Sequence, residues 1–176
     1  MSQSKFEKDA NVAAPIKMVL SDVDGVLTDG TIVFDNAGVE TKSFHVRDGM
    51  AINLWQRAGF QFGLLTARNS QIVKLRAAEL GISIVRQGFS DKLPAARDIF
   101  EENGLAPEEV CYIGDDLPDV PVLKHVGLAA TVADAANEAI AVADWITEKP
   151  GGRGAVREII ERLMKAKGCW ETTIAS

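Results

Sequence analysis

Short apolar runs alternate with stretches of helical period along most of the chain. Lys17 to Asp22, Phe60 to Thr66, Ile82 to Val85, Val110 to Ile113 and Gly127 to Val132 are the runs, with Trp145-Ile146 a shorter last one. Runs of this length, bounded by turn residues, read as strands buried on both faces. Helical patterns lie between them, from Met50 to a stop at Gly59, from Ser70 to about Leu80, from Ser90-Asp91 to about Asn103, and from Gly154 through Met164. Gly59, Gly81 and Gly104 are closing residues, and Ser90-Asp91 is a cap. Strand and helix in alternation predict an α/β fold: a doubly wound, Rossmann-like parallel sheet with helices on both faces. One feature interrupts it. Thr31 to Asp35 and Val39 to Val46 flank Asn36-Ala37-Gly38, the signal of a β-hairpin over residues 31–46, projecting after the first strand. Residues 1–15 show no period and read as a flexible N-terminus, 16–168 as one domain, and 169–176 as a tail.

In parallel sheets chemistry gathers at the carboxyl ends of the strands. The first strand ends in Asp22-Val23-Asp24-Gly25, whose two acids alternate onto one side. Close carboxylates repel unless a cation relieves them, and hard oxygen ligands suit Mg2+. The second strand ends in Thr66-Ala67-Arg68, and the fourth in Gly114-Asp115-Asp116-Leu117-Pro118-Asp119. Lys92 falls at the start of a helix, where the dipole disfavours a cation by roughly 0.3–1 kcal/mol. Each piece has an ordinary alternative: a solvated turn, a strand-favouring threonine, an acid pair entering a helix, a surface lysine. Together they fit phosphoryl transfer. A carboxylate attacks phosphorus, a metal screens the charges, donors and a cation hold the phosphoryl oxygens, and a second acid serves the leaving oxygen. Asp22, Asp115, Thr66, Lys92 and Asp24 supply these groups.

Composition narrows the class. The chain has 176 residues, enough for one full core, with 47% hydrophobic and 25% charged positions. A net charge of -6 argues against a nucleic-acid partner. No apolar stretch approaches the ~20 residues of a membrane span, and no signal peptide is visible. Cys111 and Cys169 give no disulfide framework, so a reducing, cytoplasmic setting is expected.

Asp22-Val23-Asp24-Gly25, Thr66, Lys92 and Gly114-Asp115-Asp116-Leu117-Pro118-Asp119 resemble the four motifs of the haloacid dehalogenase superfamily of phosphatases, over roughly residues 16–168. The resemblance implies Asp22 as nucleophile and metal ligand, and Asp24 as general acid/base with its backbone carbonyl on Mg2+. It implies Asp115 as third metal ligand, with Asp116 and Asp119 as supporting acids. Neither gap between the motifs has room for a cap domain, so the capless subfamily is expected. Its members form tetramers through projecting hairpins, which makes residues 31–46 the candidate assembly element of a homotetramer.

Finer matches are Phe44-His45-Val46-Arg47-Asp48-Gly49, Thr66-Ala67-Arg68, Gln87-Gly88 and Gly151-Gly152-Arg153-Gly154-Ala155-Val156-Arg157-Glu158. They resemble capless members acting on an eight-carbon sugar-acid 8-phosphate of lipopolysaccharide synthesis. That resemblance implies substrate contacts at Val46, Arg47, Asp48, Gly49, Arg68 and Arg76, beside Asp24 and Lys92. Arginine suits both carboxylate and phosphate. Arg68 and Arg76, eight apart, are expected on nearly one helix face. Ala67 stands where glycine is commoner, and Asn53 where some members carry a substrate-binding arginine. His45 is either a hairpin residue or a substrate contact, and Arg153 either an anion site or a turn at a subunit interface. The alternatives are a phosphatase for a nine-carbon sialic-acid-type 9-phosphate, where glutamate tends to replace the arginine at 68, a mutase or phosphotransferase, and a catalytically silent regulatory or binding module.

Overall fold

β1, Met18–Ser21, is buried at all four positions and lies in the middle of the sheet. The computed structural model describes residues 3–175, with side chains from residue 7 onward. β1 pairs in parallel with β4, Gln61–Thr66, on one side and with β6, Val110–Ile113, on the other. β5, Ile84–Gln87, extends the first side; β7, Leu128–Thr131, and β8, Trp145–Ile146, extend the second, also in parallel. The sheet order is therefore β5-β4-β1-β6-β7-β8. The chain winds outward from β1 through β4 to β5, then returns to β6 on the other side. The switch between β1 and β6 is where a ligand crevice opens in a doubly wound sheet.

Alternation along β1 feeds two cores. Val19 packs with α2 (Val46–Arg57), α3 (Gln71–Glu79) and α7 (Ala155–Ala166); Met18 and Leu20 pack with α4 (Lys92–Glu102) and α5 (Val120–Leu123). Trp55 is fully buried, stacks on Phe60 at 4.3 Å, and donates its indole N–H to Gln61 O at 2.7 Å. Trp145 and Trp170 join the same core. Short α6, Asn137–Ile140, covers β7 from the second face through Ala139.

The hairpin is present as β2, Val33–Phe34, and β3, Glu40–Thr41, closed by Asp35 Oδ1, which accepts from the backbone N–H groups of Ala37 and Val39 at 2.8 Å each. Ile32, Val33, Phe34 and Val39 are 48–57% exposed. The second arm is shorter than the apolar pattern predicts, because α2 already starts at Val46. Its N-cap is His45, whose Nδ1 accepts from Arg47 N. Histidine is not among the usual cap residues, so the sequence carries no strong stop there.

Two segments depart from the sequence reading. Residues 3–13, read as unperiodic and flexible, form α1, and α8 covers Trp170–Ile174 in the tail. α1 docks on α7: Arg162 donates Nε and Nη2 to the two oxygens of Asp9 at 2.8 and 2.7 Å, and its guanidinium lies 3.8 Å over the Trp145 ring. A docked helix whose partner is 153 residues away leaves little local periodicity to detect.

Candidate active site

The two strand ends at the switch point bring the acids together. Asp22 follows β1 directly and its N–H continues the ladder to Ile113 O at 2.8 Å. Asp115 follows β6 by one glycine. At Gly25 the chain turns with φ of 92°, and a Cβ there would overlap Asp115 Oδ2, so only glycine lets the two loops approach. Carboxylate oxygens of Asp22, Asp115 and Asp119 lie within 4.8 Å of one another.

Lys92, at the first turn of α4, is 2% exposed and reaches into this cluster. Its Nζ is 2.8 Å from Asp22 Oδ2 and 2.6 Å from Asp119 Oδ1. Burial alone resists a charge on Lys92, but Asp22 and Asp119 outweigh it and hold the ammonium above its ordinary value. Asp119 is fully buried and completely engaged. Its Oδ1 also accepts from Tyr112 Oη at 2.6 Å, and its Oδ2 accepts from Asp115 N and Asp116 N at 3.0 and 3.1 Å. It thus fixes both Lys92 and the loop bearing Asp115. Asp116 is exposed and caps the turn that follows, accepting from Leu117 N at 2.8 Å.

The cluster suits a divalent cation. Three carboxylates, once ionised, would leave two negative charges beyond the one ammonium in a mostly desolvated space. Burial raises Asp22 to about 7, helped by the charge of Asp119 and opposed by Lys92. Burial raises Asp115 to about 8, with the charges of Asp22 and Asp119 adding to it. Asp22 Oδ1 and Asp115 Oδ1 are buried with no hydrogen-bond partner among the described residues. Two free hard oxygens, on acids that a cation would help to ionise, suit Mg2+.

Thr66, at the end of β4, is 2% exposed, and its hydroxyl accepts from Arg68 N at 3.4 Å. Arg68 itself corrects the sequence reading. α3 starts only at Gln71, so Arg68 lies in the loop before the helix and does not share a helix face with Arg76. Ser70 takes the extended N-cap position, which keeps residues 67–70 out of the helix. Arg68 donates from Nη2 to Glu40 Oε1 at 2.8 Å, and Ser70 Oγ donates to Glu40 Oε2 at the same distance. Glu40 and Lys42 come from the hairpin. Lys42 pairs with Asp24 Oδ1, and Arg68 Nε is 3.9 Å from Asp24 Oδ2.

None of the described hydrogen bonds of residues 46–49 reaches the acid cluster. Val46 and Arg47 are exposed on the first turn of α2. Asp48 is 1% exposed; its Oδ1 accepts from Arg157 N at 2.7 Å and so anchors the start of α7, while burial raises its carboxyl above the ordinary range. Gly49 packs under the guanidinium of Arg76, which pairs with Glu79 at 2.8 Å and lies 5.6 Å over the Phe44 ring. Arg153 is 3.7 Å from Asp29 in the loop after β1. A separate cleft of about 640 Å³, between α1, α7 and α8, includes no residue of the acid cluster.

Sequence reasoning missed Glu40, Lys42, Ser70 and Tyr112. A signal existed for two of them. Glu40 and Lys42 alternate along one strand, which puts opposite charges on the same side, beside a loop already known to carry acids.

Fold and site together define a phosphoryl-transfer hydrolase, and the chain belongs to the haloacid dehalogenase-like hydrolase family. The model of that family matches residues 81–160. The chain is 46% identical over 156 residues to 3-deoxy-D-manno-octulosonate 8-phosphate phosphatase of Escherichia coli, covering 89% of this chain and 83% of the relative. The same-named protein of Yersinia pestis is 42% identical over 155 residues, covering 88% and 83%. Among solved structures, the phosphatase of that name from Moraxella catarrhalis, in complex with magnesium ion, phosphate ion and KDO, is 38% identical, covers 99% of this chain and 98% of its own, and superposes with a TM-score of 0.92. A cobalt-bound relative from Haemophilus influenzae is 36% identical, with coverage of 94% and 99% and a TM-score of 0.89.

Proposed function

We propose that the chain is a Mg2+-dependent phosphomonoesterase that hydrolyses 3-deoxy-D-manno-octulosonate 8-phosphate to the sugar acid and phosphate, as a step of lipopolysaccharide synthesis. The observation that carries this reading is the buried cluster of Asp22, Asp115 and Asp119 around Lys92 at the switch point. Similarity over most of the chain to phosphatases of that name, at 46% and 38% identity, supports the substrate.

In this reading Asp22 and Asp115 hold Mg2+ through their free oxygens, with the backbone carbonyl of Asp24. The metal, when bound, screens the phosphate from the carboxylate that attacks it. Asp22 attacks phosphorus and the ester P–O bond breaks, leaving an aspartyl phosphate. Asp24 gives its proton to the departing oxygen, then takes one from the water that hydrolyses the intermediate. Thr66 and Lys92 hold the phosphoryl oxygens. Asp119 keeps Lys92 charged and in place, and Asp116 keeps the loop turned. Arg68 reads the sugar carboxylate, while Val46, Arg47 and Arg76 form a second contact region that serves a neighbouring subunit, with buried Asp48 and Gly49 shaping it from below.

Phosphate release from a panel of sugar phosphates, with and without Mg2+, tests this. A preference for a nine-carbon sugar-acid 9-phosphate, or no release at all, would replace the reading with one of its rivals. Arg68→Ala sharpens the test. Losing an arginine that pairs with a carboxylate costs roughly 1.5–3 kcal/mol, or about ten- to a hundredfold in kcat/KM. An aryl phosphate has no carboxylate to lose and should fall much less. Equal losses on both substrates would assign Arg68 to phosphate or to structure.

The same reading makes the protein a cytoplasmic homotetramer assembled through the hairpin. Four half-exposed apolar side chains on one short ribbon support it. Replacing residues 32–44 by a short glycine linker should give a smaller species in sedimentation velocity. A shortened protein that sediments as the intact one does would free the hairpin of that role.

A further inference from the structure

The hairpin also reaches inward. The Lys42 side chain is 1% exposed; it pairs with Asp24 Oδ1 and stands 3.5 Å from Glu40 Oε1. A buried ammonium is costly unless carboxylates compensate it, and here two do. Glu40 is held in turn by Arg68 and Ser70, each at 2.8 Å. The position of Lys42 is therefore set from the loop after β4 as well as from its own strand. Asp24 is left with one oxygen tethered and the other, Oδ2, buried without a hydrogen-bond partner among the described residues. Arg68 Nε, 3.9 Å away, also makes no hydrogen bond. Native structures rarely leave buried polar atoms unmatched, and such an atom marks a place where a ligand group completes the site.

We propose that Lys42 is a positioning residue for Asp24: it fixes one carboxyl oxygen so that the other is presented to the leaving oxygen of the substrate. This rests on the reading of Asp24 as proton donor. In the first step the P–O ester bond breaks, its electron pair stays on the departing oxygen, and the proton of Asp24 Oδ2 goes to that oxygen. In the second, water loses a proton to the same Oδ2 as its oxygen bonds to phosphorus and Asp22 is released. Both transfers use one atom, whose place is set by the Lys42 contact on its twin. Lys42 works by geometry, from the residue that follows β3.

The test compares two substrates that differ in their need for a proton. A sugar phosphate leaves as an alcohol and needs one; dinitrophenyl phosphate leaves as a stable phenolate and does not. For Lys42→Met and Lys42→Gln, the ratio of the two kcat/KM values, sugar over dinitrophenyl, which reports the first step and leaves out the shared hydrolysis of the aspartyl phosphate, should fall roughly ten- to a hundredfold, within the ~10²–10⁴ that a positioned acid contributes. Lys42→Arg, which keeps a cation, should recover part of the ratio. Asp24→Asn is the control for the underlying reading. If it lowers the ratio while the Lys42 variants keep the parent value, the Lys42 proposal is overturned and the proton-donor reading stands. If Asp24→Asn leaves the ratio as it was, the proton-donor reading fails and takes the proposal with it. An equal loss on both substrates in the Lys42 variants assigns Lys42 to the fold and also overturns the proposal.

Discussion

Asp22→Asn should fold normally and release no phosphate. An amide cannot form the acyl phosphate, so the covalent step is lost and kcat should fall by about 10⁴-fold or more, as happens when a nucleophile is removed from a unit that works together. The fold should tolerate the change for reasons visible at the site. Asp22 stands past the end of β1, and burial already works against its charge, raising the carboxyl to about 7. Lys92 keeps its 2.6 Å contact with Asp119, so no buried ammonium is orphaned. Thermal melting in the absence of metal should show a midpoint close to the parent's, and substrate should still bind. Substantial Mg2+-dependent hydrolysis by this variant would remove Asp22 from the mechanism.

Metal should stabilise the protein strongly near pH 8 and weakly near pH 5. Asp22 and Asp115 have folded values raised from 3.8 to about 7 and about 8. Between about pH 4 and pH 8 the metal-free folded state therefore holds more protons than the unfolded chain. Stability then falls as pH rises through that window, the opposite of a salt-bridged carboxylate. Mg2+ competes with those protons, so its gain is largest where they have left. At a hundred times its dissociation constant a ligand contributes about 2.7 kcal/mol, which for a chain of this size is roughly 5–10 °C in Tm. Melting curves with chelator and with Mg2+, at the two pH values, measure the difference. Asp115→Asn should abolish the gain at the higher pH. An equal gain at both pH values, or a gain kept by Asp115→Asn, would contradict these two residues as ligands.

Much of this architecture is legible in the chain because its signals are local. β1 and β6 are short apolar runs closed by acids, Gly59 and Gly81 follow helices α2 and α3, and the Asp-Asn-Ala-Gly turn marks the hairpin. Asp22, Asp115 and Lys92 stood out by position along their own elements. What stayed hidden depends on residues far apart. α1 depends on Arg162, α8 on the packing of Trp170, and Asp119 shows its hold on Lys92 and Tyr112 only once three elements meet. Arg68 was misplaced because a helical spacing continues backwards through Asn69 and Ser70, where the chain is still a loop. Glu40 and Lys42 escape notice because their partners Arg68, Ser70 and Asp24 lie in other loops, far along the chain.

The clasp between Asp9 and Arg162 sets an order of events as the protein is made. The two residues are separated by 153 positions. At ~5–20 residues per second of synthesis, α1 waits roughly 8 to 30 s for its partner on α7. β1 waits too, since β6 must also emerge before it is flanked on both sides. For about half of its synthesis, from residue 21 to residue 113, the central strand therefore lacks its neighbour on the β6 side, the strand whose following loop brings Asp115 to Asp22. α7 is the element whose arrival lets α1 dock through Arg162.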